Sequence, residues 1–320
     1  MTPSHQPRIV FIAGAGRSGS TALEQAMTHR FANVLGVGEQ RHVWQRGFAE
    51  NQLCSCGATF LSCLYWSGVR GAAYGPDGLP SAEFVEELTA GVDRARYMAA
   101  LLTSRLRTPR FSQRLSRVQV ALAEWYSAIA SEADGRIIID SSKDPSYAYV
   151  LRSVPGIRVL YLHLVRHPCG VAHSWARPKP RPEVHWKEAA MPRVSPGRST
   201  AEWDFRFATI RLLALQKDLP ALEVCYEYFA RHPERVLGVI SDHVDAYLSR
   251  ELVSGEGGMF HSVSGNPVRF ESHPRPIRVD EAWHTEMSRR DRVIVSSAAA
   301  PVSPLYRRLR RAGSRSMPPR

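Results

Sequence analysis

The segment Arg8-Ile9-Val10-Phe11-Ile12-Ala13-Gly14-Ala15-Gly16-Arg17-Ser18-Gly19-Ser20-Thr21 decides how this chain reads. Its first six residues form a short, β-branched apolar run, which predicts a strand buried on both faces. A helix is expected from about residue 20 to 29. A glycine-rich turn between such a strand and helix lets backbone N–H groups close on an anion, which also gains from the positive end of the helix dipole. Gly14, Gly16 and Gly19 provide the permissive backbone, and Ser18, Ser20 and Thr21 the hydroxyl donors. The spacing invites the nucleotide-binding pattern G-x4-G-K-[ST], but position 20 is serine where that pattern needs lysine. The cation comes three residues earlier, as Arg17.

Working outward, Ile137-Ile138-Ile139-Asp140 and Val159 through Val165 read as two further buried strands, each followed by polar residues and then a helical stretch. Residues 222–226 read as another short strand. Strands alternating with helices predict a mainly parallel sheet, with ligands at the strand carboxyl ends. Residues 81–131 show apolar positions near the helical period, interrupted around Pro109. A helix capped by Ser199 or Thr200 is expected to run to Lys217, and another to span 233–248.

The chain has 320 residues, 44% hydrophobic and 22% charged, which suits one globular enzyme domain. That domain is expected over 1–306, with a helical region at 68–134 on the acceptor side. The proline-rich, cationic stretch 177–199 is expected to be a disordered insertion or a lid over an active site, and 307–320 a disordered basic tail. The formal net charge of +12 suits a polyanionic ligand. No nucleic-acid-binding signature accompanies it, and the excess in 177–198 and in the tail reads as solvated. With no leader and no long apolar run, the expectation is a cytoplasmic protein. Five cysteines fit a reducing compartment. Cys54, Cys56 and Cys63 cluster with His42 as a candidate fourth metal ligand, against a default of free thiols; no metal is assigned.

Arg17-Ser18-Gly19-Ser20-Thr21 resembles the 5′-phosphosulfate loop, [RK]-S-G-[ST]-[ST], of sulfotransferases that use 3′-phosphoadenylyl sulfate (PAPS). In that family a strand ends in arginine, and a serine eight residues later joins it on the donor's 3′-phosphate. Here Arg166 follows Val165, Pro168 suits a helix start, and Ser174 stands eight residues on. Tyr226-Glu227 is similar to the motif whose tyrosine contacts adenine. Ser264-Gly265-Asn266-Pro267-Val268-Arg269 resembles a late segment of bacterial members, which implies Arg269 near the 3′-phosphate.

Gly38-Glu39-Gln40-Arg41 and Lys143-Asp144-Pro145 resemble segments of the tyrosylprotein sulfotransferases. The resemblance implies Glu39 as base, and Lys143 with Arg17 as cations stabilising the departing group. It also implies an α/β sheet of about five strands, a small-molecule hydroxyl acceptor, adenosine 3′,5′-bisphosphate as product and no metal requirement. His42, His163 and His167 stand as alternative bases. Two rival readings remain at this stage: a diverged P-loop kinase using ATP and Mg²⁺, with 137–140 as its second nucleotide strand, and a non-catalytic basic protein that binds anions or nucleic acid.

Overall fold

A computed structural model describes residues 6–75, 77–216, 220–271 and 277–316. Seven strands form one sheet: β1 Arg8–Gly14, β2 Val34–Gly38, β3 Ile137–Lys143, β4 Arg158–Val165, β5 Ala221–Cys225, β6 Met259–Val263 and β7 Ser314–Ser316. Their order is β6-β2-β3-β1-β4-β5-β7. Every pairing is parallel except that of β5 with β7. The fold is therefore α/β with a central parallel sheet, six strands wide plus an antiparallel edge, where about five strands were expected.

The apolar run of β1 works as its composition demands. Ile9, Phe11 and Ala13 join a core on one face of the sheet and Val10 and Ile12 a core on the other, all fully buried. Helices Leu64–Tyr74, Pro109–Glu132 and Pro145–Arg152 close the first face; Ser20–Arg30 and Pro233–Leu248 close the second. Three layers result, with two apolar interiors.

Pro109 starts a helix rather than interrupting one. It sits at the first helical position, and the Thr108 hydroxyl accepts from the Phe111 N–H. A proline tolerated there lacks only an N–H that has no helical partner anyway. The helix after the 177–195 stretch likewise begins earlier than expected, at Pro196, and ends at Ala214; Lys217 lies outside the described residues. The expected disordered tail is corrected in part. Helix Ser303–Ala312 buries Tyr306 and Leu309, and β7 pairs with β5, because an apolar stripe amid the arginines packs on the sheet edge. Residues 317–320 lie outside the described residues. Among the described residues, no helix is long and apolar enough to cross a membrane.

Candidate active site

A cleft of about 380 Å³ opens where the glycine turn, the segments after β2, β3 and β4 and the start of the helix after β5 converge. This is the carboxyl edge of the sheet, where the order changes from β1-β3 to β1-β4 and the connections diverge. Gly16, Arg17, Gly19, Ser20 and Thr21 all line it. Gly19, at φ 93°, is left-handed, and a Cβ there would stand 2.6 Å from the Tyr226 ring. The helix it precedes has no side-chain cap, and its hydrogen-bond ladder begins with Leu23 N–H to Gly19 C=O at 3.0 Å. The amides of Ser20, Thr21 and Ala22 therefore face the cleft without a helical acceptor.

Arg17 is left-handed too, at φ 69°, a strained state for a residue with a Cβ. Its guanidinium lies over the Trp175 ring, 4.8 Å from the centroid. The Nε and Nη2 of Arg17, the Oγ of Ser18 and the Nε of Arg166 are buried and have no hydrogen-bond partner among the described residues. Buried donors of this kind cost free energy unless a ligand completes them. Burial, partly offset by Glu39, pulls the Arg17 pKa below its ordinary value.

β4 ends at Val165, and helix Pro168–Ala176 follows, capped by His167, whose Nδ1 accepts from the Cys169 N–H. This short link brings both Arg166 and Ser174 to the cleft. Arg166 donates to the Arg17 carbonyl at 2.9 Å and to Asp280 at 3.1 Å, and stacks on Tyr226 at 4.7 Å. Tyr226 opens a short helix just past β5, where the expected strand, 222–226, included it.

Glu39 and Lys143 meet across the ends of β2 and β3. Gly38 closes β2 at φ 74°, and a Cβ there would stand 2.3 Å from the Ser262 hydroxyl, so only glycine turns the chain here. Lys143, left-handed at φ 68°, donates from Nζ to Glu39 Oε1 at 2.5 Å and to the Ser141 carbonyl at 2.9 Å. His42 Nε2 stands 3.6 Å from the other carboxylate oxygen. Burial pushes the Glu39 carboxyl up, but Lys143, His42 and Arg46 outweigh it and hold it near 2. Burial, with Arg46, holds His42 down to about 3, partly offset by Glu39.

No protein-family profile matches this chain, and no curated protein matches it. Among solved structures, it is similar to the sulfotransferase domain from the Synechococcus PCC 7002 olefin synthase. The TM-score is 0.44 and the identity 20%, over 94% of this chain and 98% of that one.

The structure does not bring every expected residue to the cleft. Arg269 is only 1% exposed and does not line it. It donates to the Leu53 carbonyl and stacks on Phe270, because the turn before it folds the side chain inward. His163 lies within the sheet beside Glu223, and His167 caps a helix against Trp283; neither lines the cleft. No described residue of 68–134 lines it, although that region was expected on the acceptor side. The apolar faces of those helices are spent on the core, and only Asp93 reaches toward the site, pairing with Arg41 at 2.6 Å.

The 177–199 stretch is a folded wall rather than a disordered insertion. Arg181 N–H and Met191 N–H bond to the Ala189 and Lys179 carbonyls, and Lys179, Arg181, Glu183, Met191 and Pro192 border the cleft, so these charges are not simply solvated. His42 faces Glu39, and the group that joins the three cysteines is His261. Sequence reasoning also missed Glu24, fully buried, whose two oxygens accept from Gly38 N–H at 2.6 Å and Ser141 Oγ–H at 2.8 Å. It thus ties together the two strand ends that carry Glu39 and Lys143. The signal, an acid beside Leu23 in the helix directly after the glycine loop, is slight, because Thr21 and Gln25 beside it are polar too.

Proposed function

We propose that this chain is a sulfotransferase that moves a sulfuryl group from PAPS to a hydroxyl of a small phenol, alcohol or sugar, by in-line displacement. The observation that carries the reading is the set of unpartnered buried donors on Arg17, Ser18 and Arg166, which share one site with the Glu39–Lys143 pair. The donor set suits two separated anionic groups: one against the helix amides and Arg17, the other against Arg166 and Ser174, with Tyr226 as a flat surface for a base. When bound, such a donor supplies an activated sulfuryl group and a leaving group that gathers negative charge.

Arg17 and Lys143 are the cations available to that charge. Glu39 is the base, and its pairing gives the arrangement its logic. While Lys143 sits against it, the Glu39 carboxylate is a weak proton acceptor. As Lys143 turns toward the leaving oxygen, Glu39 loses its strongest counter-charge and its proton affinity rises. The acceptor hydroxyl is then deprotonated in step with departure of the leaving group.

A kinase reading is less well served. Asp140, the strand-end carboxylate it would use for a metal, is fully buried and bonded by Tyr126 and Ser142 outside the cleft. A thermal-shift panel tests the proposal: adenosine 3′,5′-bisphosphate is expected to raise the melting temperature without added metal, and ATP with Mg²⁺ to do less. The reverse ranking overturns it. Stabilisation without transfer of labelled sulfate to any phenol, alcohol or sugar would leave a non-catalytic anion-binding protein.

A further inference from the structure

Away from the cleft, Cys54, Cys56, Cys63 and His261 bring four ligand atoms within 4.8 Å of one another. Cys56 Sγ and Cys63 Sγ are 3.6 Å apart, and His261 Nδ1 is 3.4 Å from Cys63 Sγ and 3.8 Å from Cys54 Sγ. Tetrahedral zinc, with Zn–S near 2.3 Å and Zn–N near 2.0 Å, requires S···S edges of about 3.8 Å and S···N edges of about 3.5 Å. Three edges lie close to these values, and the other three are within 4.8 Å, so little movement would close the four groups on one ion.

Three separate elements build it. Cys54 and Cys56 lie on a tight turn closed by Gly57 N–H to the Cys54 carbonyl at 2.9 Å. Cys63 is the N-cap of helix Leu64–Tyr74, where the positive end of the helix favours a thiolate. His261 lies on the edge strand β6, its ring stacked on Tyr65 at 4.7 Å. The turn is stitched to β6 through Ser55, which donates from N–H to Ser262 C=O and from Oγ to Phe260 C=O, and accepts from Ser262 N–H.

We propose that Cys54, Cys56, Cys63 and His261 hold one zinc ion in a closed, structural site. Four protein ligands leave no open coordination position, so the ion's role is to staple rather than to react. Binding displaces the thiol protons to solvent. A Cys56–Cys63 disulfide would use only two of the four converging groups. The staple fastens β6, a sheet edge paired only with β2, to the helical layer. β6 in turn positions the cleft: the Val263 carbonyl accepts from Glu39 N–H at 2.9 Å, and the chain then runs directly into Gly265 and Asn266, which line the site. The assignment is independent of the reaction proposed above.

The test is elemental analysis of the full chain purified from zinc-supplemented cells without chelator, with cobalt(II) titration of the reduced, metal-free protein. One zinc per chain is expected, together with the intense sulfur-to-cobalt absorption of a tetrahedral thiolate site. Cys63→Ser and His261→Ala are each expected to lower zinc occupancy by about tenfold or more, and Cys169→Ser, a buried cysteine elsewhere, to leave it unchanged. Wild-type measurements decide the matter even if a variant fails to fold. Sub-stoichiometric zinc with no cobalt–thiolate band overturns the proposal, as does a Cys56–Cys63 disulfide found by non-reducing peptide mapping. Full zinc retention in both ligand variants overturns the assignment of these residues.

Discussion

The half of the cleft over β1 and β4 and the half over β2 and β3 are both rich in arginine, yet they stand in opposite electrostatic states. On the first half, Arg17 Nε and Nη2, Ser18 Oγ and Arg166 Nε are buried without partners among the described residues. On the second, Arg41 pairs with Asp93 at 2.6 Å and Asp144 at 3.6 Å, and Arg206 pairs with Asp144 and Glu202, each at 3.0 Å. Burial pushes Asp144 up, but Arg206 and Arg41 hold it below the usual carboxylate range. The first half is incomplete without an anion, whereas the second is already neutralised and suits an uncharged acceptor hydroxyl. Asp280 blurs the division, since it occupies Arg166 and Arg177 on the anion side.

The strongest test lies where the halves meet. Glu39→Gln keeps the shape of the carboxylate proposed as the base but removes its proton affinity, and is expected to cut turnover by roughly 10²- to 10⁴-fold. Bisphosphate affinity should hardly change; near-wild-type turnover would move the base to His42. Next, Arg166→Ala is expected to weaken bisphosphate binding by roughly 10- to 100-fold, the worth of a lost charge-assisted contact. Asp280→Asn is expected to strengthen binding by about threefold or more, because a competing carboxylate is gone. Weaker binding in that variant would mean that Asp280 orients Arg166 rather than competing for it. Calorimetric titration reads both.

A smaller effect is expected from Asp144→Asn, which leaves two half-buried guanidinium groups short of a partner. The melting temperature should fall by a few degrees, on the order of 1–3 kcal/mol, while bisphosphate affinity stays within about twofold of wild type. A loss of affinity as large as that of Arg166→Ala would dissolve the contrast between the halves.

The least expected effect concerns pH. Burial raises the Glu24 carboxyl to about 8, against an ordinary value of 4.5. An acid raised in this way favours the folded state at low pH, and that contribution is lost as pH rises from 4.5 toward 8. Glu24→Gln removes the titration, so its melting temperature relative to wild type should climb across that window. A flat difference would show that Glu24 does not titrate in the folded protein.

Legibility in the sequence followed the range of the interactions. β1, β3, β4 and most of β5 were readable because a strand buried on both faces is a contiguous apolar run. β2 was not, since two of its five residues are glycine, and the residues that make it a strand belong to Glu24, β3 and β6. The Arg166/Ser174 pair was legible because one strand end and one helix fix both residues. Arg269 was assigned from a motif alone, and its direction depends on packing under Leu53, more than two hundred residues away.

The glycine turn after β1 therefore determined by itself a backbone suited to an anion at a helix start, and serine at position 20 removed the usual nucleotide lysine. Those are local facts, set by backbone freedom and the order of strand, turn and helix. Tertiary structure alone decided that Glu39 is held by Lys143, that the 68–134 helices serve the core, and that His261 rather than His42 completes the cysteine cluster. Each depends on contacts between distant segments, and a side chain's position along the chain does not state which neighbour will neutralise it.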